Sequence, residues 1–216
     1  MFLNFFALMP ISKSVLGAAT TAGVAGSGAL AYKLGAFGER SIPTIKQQLK
    51  EKGYELIEAP DQWKTSFNAF KSDGSFITEI NKYKEGSEAL TSQSDENKGK
   101  EALKRMCESY LGSNGNFDNA SKWCVLRIQD KPPTGGWLPL VDTGNDATGN
   151  QDKWKKAFKE RQASIAGKIA EVTTSTSEDD GHAKLKKWCQ DNLTLSFNTE
   201  RKSIFDNASA WCVATT

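Results

Sequence analysis

Apolar and polar positions alternate along this chain in three different ways. Phe2, Leu3, Phe5, Phe6, Leu8, Met9 and Ile11 open it, and beyond Lys13 an uncharged run of 19 residues extends from Ser14 to Tyr32. After Tyr32 the charges return and the spacing becomes helical. Ile42, Ile45 and Leu49 predict a helix over Ser41–Lys52, with Pro43 in its first turn and Gly53 as its stop. Trp63, Phe67 and Phe70 stand at i, i+4 and i+7. Ala102, Leu103, Met106, Cys107, Tyr110 and Leu111 form a stripe ended by Gly112, and Trp154, Phe158, Ile165, Ile169 and Val172 form a second long one. Leu185, Trp188 and Cys189 continue the pattern with Asn192. Phe117, Ala120 and Cys124 share one helical face, as do Phe205, Ala208 and Cys212.

The third pattern is broken. Arg127 to Asn150 contains Pro132, Pro133, Gly135, Gly136, Pro139, Gly144 and Gly149, which predicts a linker or an irregular cover loop. Within it, Trp137–Val141 is apolar enough to dock on the core or to supply a short strand. Glu85–Lys98 and Thr173–Asp180 are polar and predict exposed loops.

Self-similarity organises the helical part. Phe117–Val125 recurs as Phe205–Val213 with eight of nine positions identical. Upstream, Leu103-Lys104-Arg105-Met106-Cys107 matches Leu185-Lys186-Lys187-Trp188-Cys189, and Asp61-Gln62-Trp63-Lys64 matches Asp152-Lys153-Trp154-Lys155, with Phe67 and Phe158 at the same further offset. The offsets are 91, 82 and 88, so fixed packing elements are joined by segments of different length. The expectation is an all-α fold of two related small helical units with an N-terminal hydrophobic helix. Its boundaries are an N-terminal segment 1–37, a first unit with its lead helix 38–126, a Pro/Gly-rich linker 127–150 and a second unit 151–216.

Two cysteines fall in each unit on an apolar helix face. The duplication favours Cys107 with Cys124 and Cys189 with Cys212, closing loops of about 17 and 23 residues, each worth about 3 kcal/mol in the loop-entropy model. Units this small have marginal cores, so such staples matter. Four buried thiols, packed as small apolar groups, are the competing reading. There is no Cys-x-x-Cys, and His182 is the one histidine in the chain, which argues against a metal site or a cysteine nucleophile in each copy. Phe117, Trp123, Phe205 and Trp211 are expected to fill the helix junctions beside the cysteines.

At about 1.5 Å per residue, Ser14–Tyr32 covers about 28 Å, close to a bilayer's hydrocarbon thickness. Ten of the eighteen residues from Val15 to Tyr32 are Gly or Ala, so its apolarity is modest. An uncleaved anchor through residues 14–32 is one reading. A cleaved signal ending near Ala29-Leu30-Ala31 is another, and a flexible leader a third. Small residues four apart, Ala19 with Gly23 and Ala22 with Gly26, would also suit lateral helix packing in a membrane. The cysteines favour the C-terminal region outside the cell, as a single-pass membrane protein.

Lys and Arg number 28 against 26 Asp and Glu, a net charge of +2, which excludes an electrostatic nucleic-acid binder. No phosphate loop, dinucleotide fingerprint or zinc-protease helix is present, and no cofactor is implied. Leu140–Gly144 imitates an aspartic-protease signature, but it occurs once and in helical surroundings. Asn119, Asn192 and Asn207 open glycosylation sequons; the first and last lie beside core Trp residues, where capping and packing explain them. An enzyme would have to draw on acidic residues such as Asp118 and Asp206.

Several of these residues together carry a resemblance. A Gly/Ala-rich N-terminal segment, the stretch Ile45–Ile57 with its Gln-Leu-Lys-Glu-Lys-Gly-Tyr-Glu-Leu-Ile core, a Trp-led helix, Leu-Lys-x-x-Cys and Ala-Ser-Lys-Trp-Cys occur in that order. The chain resembles the paralogous, uncharacterised surface proteins of haemotropic mycoplasmas over nearly its whole length. Met1–Leu8 departs from that pattern, with Met9 as an alternative start, and Met106 stands where the second unit has Trp188. The resemblance implies exposure on a wall-less cell and a non-enzymatic role in host contact or antigenic variation. The partners would be host surface proteins or antibodies. It supplies no catalytic residues.

Overall fold

The structure, a computed structural model, describes residues 42–141 and 147–214. The expected N-terminal membrane segment and Asp142–Gly144 lie outside the described residues. Among the described residues the protein is all helical, with no sheet, and residues 42–214 belong to one compact unit.

The first half holds five helices: α1 (Ile45–Glu51), α2 (Pro60–Phe70), α3 (Gly74–Ile80), α4 (Glu96–Gly112) and α5 (Phe117–Trp123). The second holds three: α6 (Ala147–Ile165), α7 (Glu178–Leu193) and α8 (Lys202–Trp211). Local chemistry sets their ends. The predicted helix over 41–52 begins only at Ile45, because Thr44 and Gln47 form a reciprocal capping box: the Thr44 N–H donates to Gln47 Oε1 at 2.8 Å and the Gln47 N–H to Thr44 Oγ1. Pro60 opens α2 while Gln62 Oε1 accepts from the Ala59 and Glu58 N–H groups. Asp73, Asp95 and Ser177 are N-caps of α3, α4 and α7. The stripe Trp154–Val172 is not one helix. Helix α6 stops at Ile165, and Gly167, at φ 75°, turns the chain so that Ile169 and Val172 still reach the core.

Two apolar cores result. One gathers Ile45, Leu49, Trp63, Phe67, Phe76, Ile80, Leu103, Met106, Tyr110 and Trp123; the other gathers Ile128, Leu138, Trp154, Phe158, Ile165, Leu185, Leu193 and Trp211. The same contacts recur in both. Helix α2 lies on α4 as α6 lies on α7. Gly99 of α4 faces the Phe67 ring, and Gly181 of α7 faces the Phe158 ring, each so closely that a Cβ would come under 3.0 Å from it. Glu96, first in α4, accepts from Asn68 Nδ2 at 2.9 Å; Glu178, first in α7, pairs with Lys159, also at 2.9 Å.

The repeat reaches further forward than the sequence indicates. Arg127–Val141, expected as a linker or an irregular cover loop, packs down as a cover: Arg127 and Ile128 are buried and Leu138 is 2% exposed. Its contacts copy those of residues 44–57. The Ile45 N–H donates to Ser113 O at 2.7 Å and the Ile128 N–H to Leu195 O at 2.9 Å. Thr44 N–H is capped by Gln47, and Arg127 N–H by Asp130 at 2.9 Å. The Ile57 N–H donates to Cys124 O and the Leu138 N–H to Cys212 O. Leu56 bridges Val125 as Trp137 bridges Val213. Among the described residues the contacts of the second copy therefore begin at the end of the first, near residue 126.

The seam uses a length difference. The second copy has six more residues between its cysteines than the first, 23 against 17. Those extra residues fall around Ser196–Thr199, which dock on the first copy. Held within its own copy by a bridge to Arg127, Ser196 donates from Oγ to Ser121 O at 2.7 Å, and Thr199 Oγ1 donates to Lys52 O at 3.2 Å. Lys131 pairs with Glu55 and lies 3.9 Å from the Phe197 ring centroid. Arg127 and Asp130 form a buried bidentate pair beneath this junction, at 2.9 and 3.0 Å.

Candidate functional site

The helix junctions carry the chemistry that the cysteines provide. Cys107, midway along α4, is bonded to Cys124 at the end of α5; Cys189 of α7 is bonded to Cys212 at the end of α8. All four residues are wholly buried, and no cysteine is free. This is the pairing that the duplication favours. Ala120 and Ala208, fully buried, allow α5 and α8 to come close to the helices they are stapled to.

Phe117, Trp123, Phe205 and Trp211 sit at these junctions. Trp123 packs edge-on to Phe76 at 5.4 Å, and Trp211 packs on Trp188 at 5.0 Å. The two partners come from different elements. Phe76 belongs to α3, a helix for which the second copy has no counterpart, and Trp188 takes the position of Met106. The aromatic cover of each Trp is thus kept by a different route. Phe117 meets Tyr54 at 6.3 Å and Phe205 meets Phe197 at 5.3 Å. Ser66 Oγ reaches Trp123 O, whereas Trp123 Nε1 is buried without a partner among the described residues.

The surface differs between the copies where the chain enters each cysteine helix. Between the facing Phe and Gly the first copy is nine residues longer, the offset falling from 91 to 82. This segment forms a cavity of about 980 Å³ between residues 84–95 and the first turns of α4. The second copy has a shallower recess of about 630 Å³ at the equivalent place, beside Thr173–Ser177. There Gln162 Nε2 donates to the carbonyls of Thr173, Thr174 and Thr176.

Charges near the long loop are matched in pairs. Arg105 binds Glu85 at 2.8 Å and donates from Nε to Tyr83 O, and Lys98 binds Glu88 at 2.7 Å. Lys98 holds the Glu88 carboxyl below its ordinary value. Beside them Glu79 accepts from Lys82 and from the Tyr110 hydroxyl, and both bonds lower its pKa, Lys82 the more; burial followed by this carboxylate pushes the Tyr110 phenol up. In the second copy Lys155 beside Asp179 lowers that carboxyl.

The residues considered for other chemistry do not converge. Asp118 is exposed on α5, and Asp206 is exposed on α8 in an ion pair with Lys202 at 2.7 Å. His182 Nδ1 lies 2.9 Å from Glu178 O within its own helix. Asn192 Nδ2 donates to Trp188 O at 2.8 Å. Among the described residues no group of three or more His, Cys, Asp or Glu is placed to hold a metal, and no helix is long and apolar enough to cross a membrane. No family model, curated protein or solved structure matches the chain.

Proposed function

We propose that the protein is a non-enzymatic surface protein, tethered to the cell membrane through residues 14–32, with the duplicated helical body outside the cell in contact with host molecules or antibodies. The observation that carries this reading is the buried disulfide in each copy, since such bridges persist in oxidising surroundings and are rare in reducing cytosol. The likeness to haemotropic mycoplasma surface proteins supports it, as does a scaffold whose copies differ most in exposed loops. Release by signal cleavage would leave the same body secreted.

Fractionation combined with protease treatment of intact cells tests the proposal. The expected outcome is a membrane-bound protein cut from outside. A cytosolic pool that intact cells shield from protease would overturn it.

A further inference from the structure

The turn between α4 and α5 is the counterpart of the segment that makes the seam. Both turns start alike, with Ser113 O accepting from the Ile45 N–H and Leu195 O from the Ile128 N–H. Then they part. The longer turn of the second copy docks on the first copy, and its Asn198 is 3% exposed, with Oδ1 accepting from the Arg201 N–H at 3.0 Å. The shorter turn of the first copy reads Ser113-Asn114-Gly115-Asn116, and its last three residues are exposed. Neither the Asn114 side chain nor the Gly115 N–H has a hydrogen-bond partner among the described residues.

Asn-Gly occurs once in the chain. The pair carries a reaction of its own. A backbone nitrogen that follows asparagine, once deprotonated, can attack the side-chain Cγ and close a five-membered imide. A side chain on the following residue crowds that nitrogen, and glycine has none. A nitrogen whose N–H is held in a helix is withdrawn from the attack. At Gly115 neither obstacle is present.

The fold does not require glycine at this position. Gly115 is not among the glycines of positive φ, and a Cβ built there would meet no atom within 4 Å. The related pairs are closed to the same reaction. The Ala120 N–H, after Asn119, donates to Asn116 O at 3.0 Å, and the Gly181 N–H, after Asp180, donates to Ser177 O at 2.8 Å. At Asp73-Gly74 the carboxylate is held by the Ser75 and Phe76 N–H groups.

We infer that Asn114 is a site of spontaneous modification, at which the folded protein converts itself to aspartate and isoaspartate. The bond from Gly115 N to Asn114 Cγ forms and the bond from Cγ to Nδ2 breaks; the side-chain amide leaves as ammonia, taking the Gly115 N–H proton. Water then opens the imide. Cleavage at Cγ gives aspartate, and cleavage at the main-chain carbonyl gives isoaspartate. Nothing is oxidised or reduced. Either product adds a carboxylate between Cys107 and Cys124, and isoaspartate also adds a methylene to the main chain, beside the Ser113 carbonyl that holds the start of α1. The inference goes beyond the surface reading above and does not depend on it.

The test is incubation of the full, oxidised chain at mildly alkaline pH and body temperature, beside the same chain reduced and unfolded in guanidinium. Both are then reduced, alkylated and digested at acidic pH, and the Asn, Asp and isoaspartyl forms of each peptide are resolved by chromatography with mass spectrometry. Asn114 should convert ahead of every other described asparagine, at a rate within about tenfold of the unfolded chain, with isoaspartate the larger product. Gly115→Ala should keep the melting temperature and slow the conversion by at least ~10-fold. Asn114→Gln, whose imide would need a six-membered ring, should silence it. The inference is overturned if Asn114 persists in the folded protein while the unfolded chain converts, or if another described asparagine reacts first. It is also overturned if Gly115→Ala converts as fast as the parent or melts lower, since glycine would then serve the fold.

Discussion

Adding one methyl group at Gly181 tests the close packing that both copies share. The Cβ of Gly181→Ala would fall within 2.5 Å of Cζ, Cε1 and Cε2 of Phe158. Contact becomes ordinary only from 3.4 Å, so the ring would have to retreat by nearly an ångström or more. Phe158 is wholly buried in the second apolar core. Overpacking of this kind costs about 1–3 kcal/mol. Helix propensity acts in the other direction, because replacing Gly by Ala inside a helix gains about 1 kcal/mol. The net expectation is a loss of up to about 2 kcal/mol, a melting temperature lower by up to about 8 °C for a domain of this size. Thermal unfolding of the oxidised protein, followed by circular dichroism, measures it. Phe158→Leu in the same chain should relieve the clash, leaving a coupling of at least ~0.5 kcal/mol in a double-mutant cycle. Gly99→Ala against Phe67 should behave alike. A stabilising Gly181→Ala, or strict additivity with Phe158→Leu, would show that propensity alone governs the site and that the close approach is not real.

Three further outcomes follow from the same geometry. Asp73 accepts from Lys122, Ser75 and the Phe76 N–H, with Lys122 the strongest influence, and its carboxyl is held well below the ordinary 3.8. A lowered folded-state pKa contributes stability above the unfolded value, and this is lost on acidification below about pH 4. Asp73→Asn should therefore lose stability at pH 7 but little at pH 2, narrowing the difference between melting temperatures at the two values. Arg127→Ala leaves the buried Asp130 carboxylate without its guanidinium, a change worth about 3–5 kcal/mol, and denaturant titration would contradict the packed seam if the loss stayed below ~1 kcal/mol. Trp188→Met should cost about 2 kcal/mol, because the second copy has no counterpart of Phe76 to cover Trp211; no change in the unfolding midpoint would disprove the compensation.

The sequence foretold what rests on helical spacing. The stripe over α4, the two Trp-Cys junctions, the within-copy pairing of cysteines and the two polar loops all follow from repeated apolar positions. The parts decided by side-chain-to-backbone bonds were harder to see. Asp73-Gly74-Ser75 looks like a loop, yet the Asp73 carboxylate accepts from the Ser75 and Phe76 N–H groups and starts α3. The forward extension of the second copy was hidden for another reason. Its equivalence with the first lies in backbone partners and in a few residues such as Ile45 with Ile128 and Gly53 with Gly136, while Pro132, Pro133 and the glycines suggest a linker. A spacing of 83 residues between those pairs was the available signal. The cavity could not be foreseen, since it depends on how Asn81 ties down Leu90.

Peptide mapping without reduction, on protein whose thiols are blocked at the moment of cell lysis, bears most directly on a duplicated body pinned once in each copy. Two cross-linked peptides should be found, Cys107 with Cys124 and Cys189 with Cys212, and no blocked thiol. Four blocked thiols, or any bridge joining one copy to the other, would contradict it.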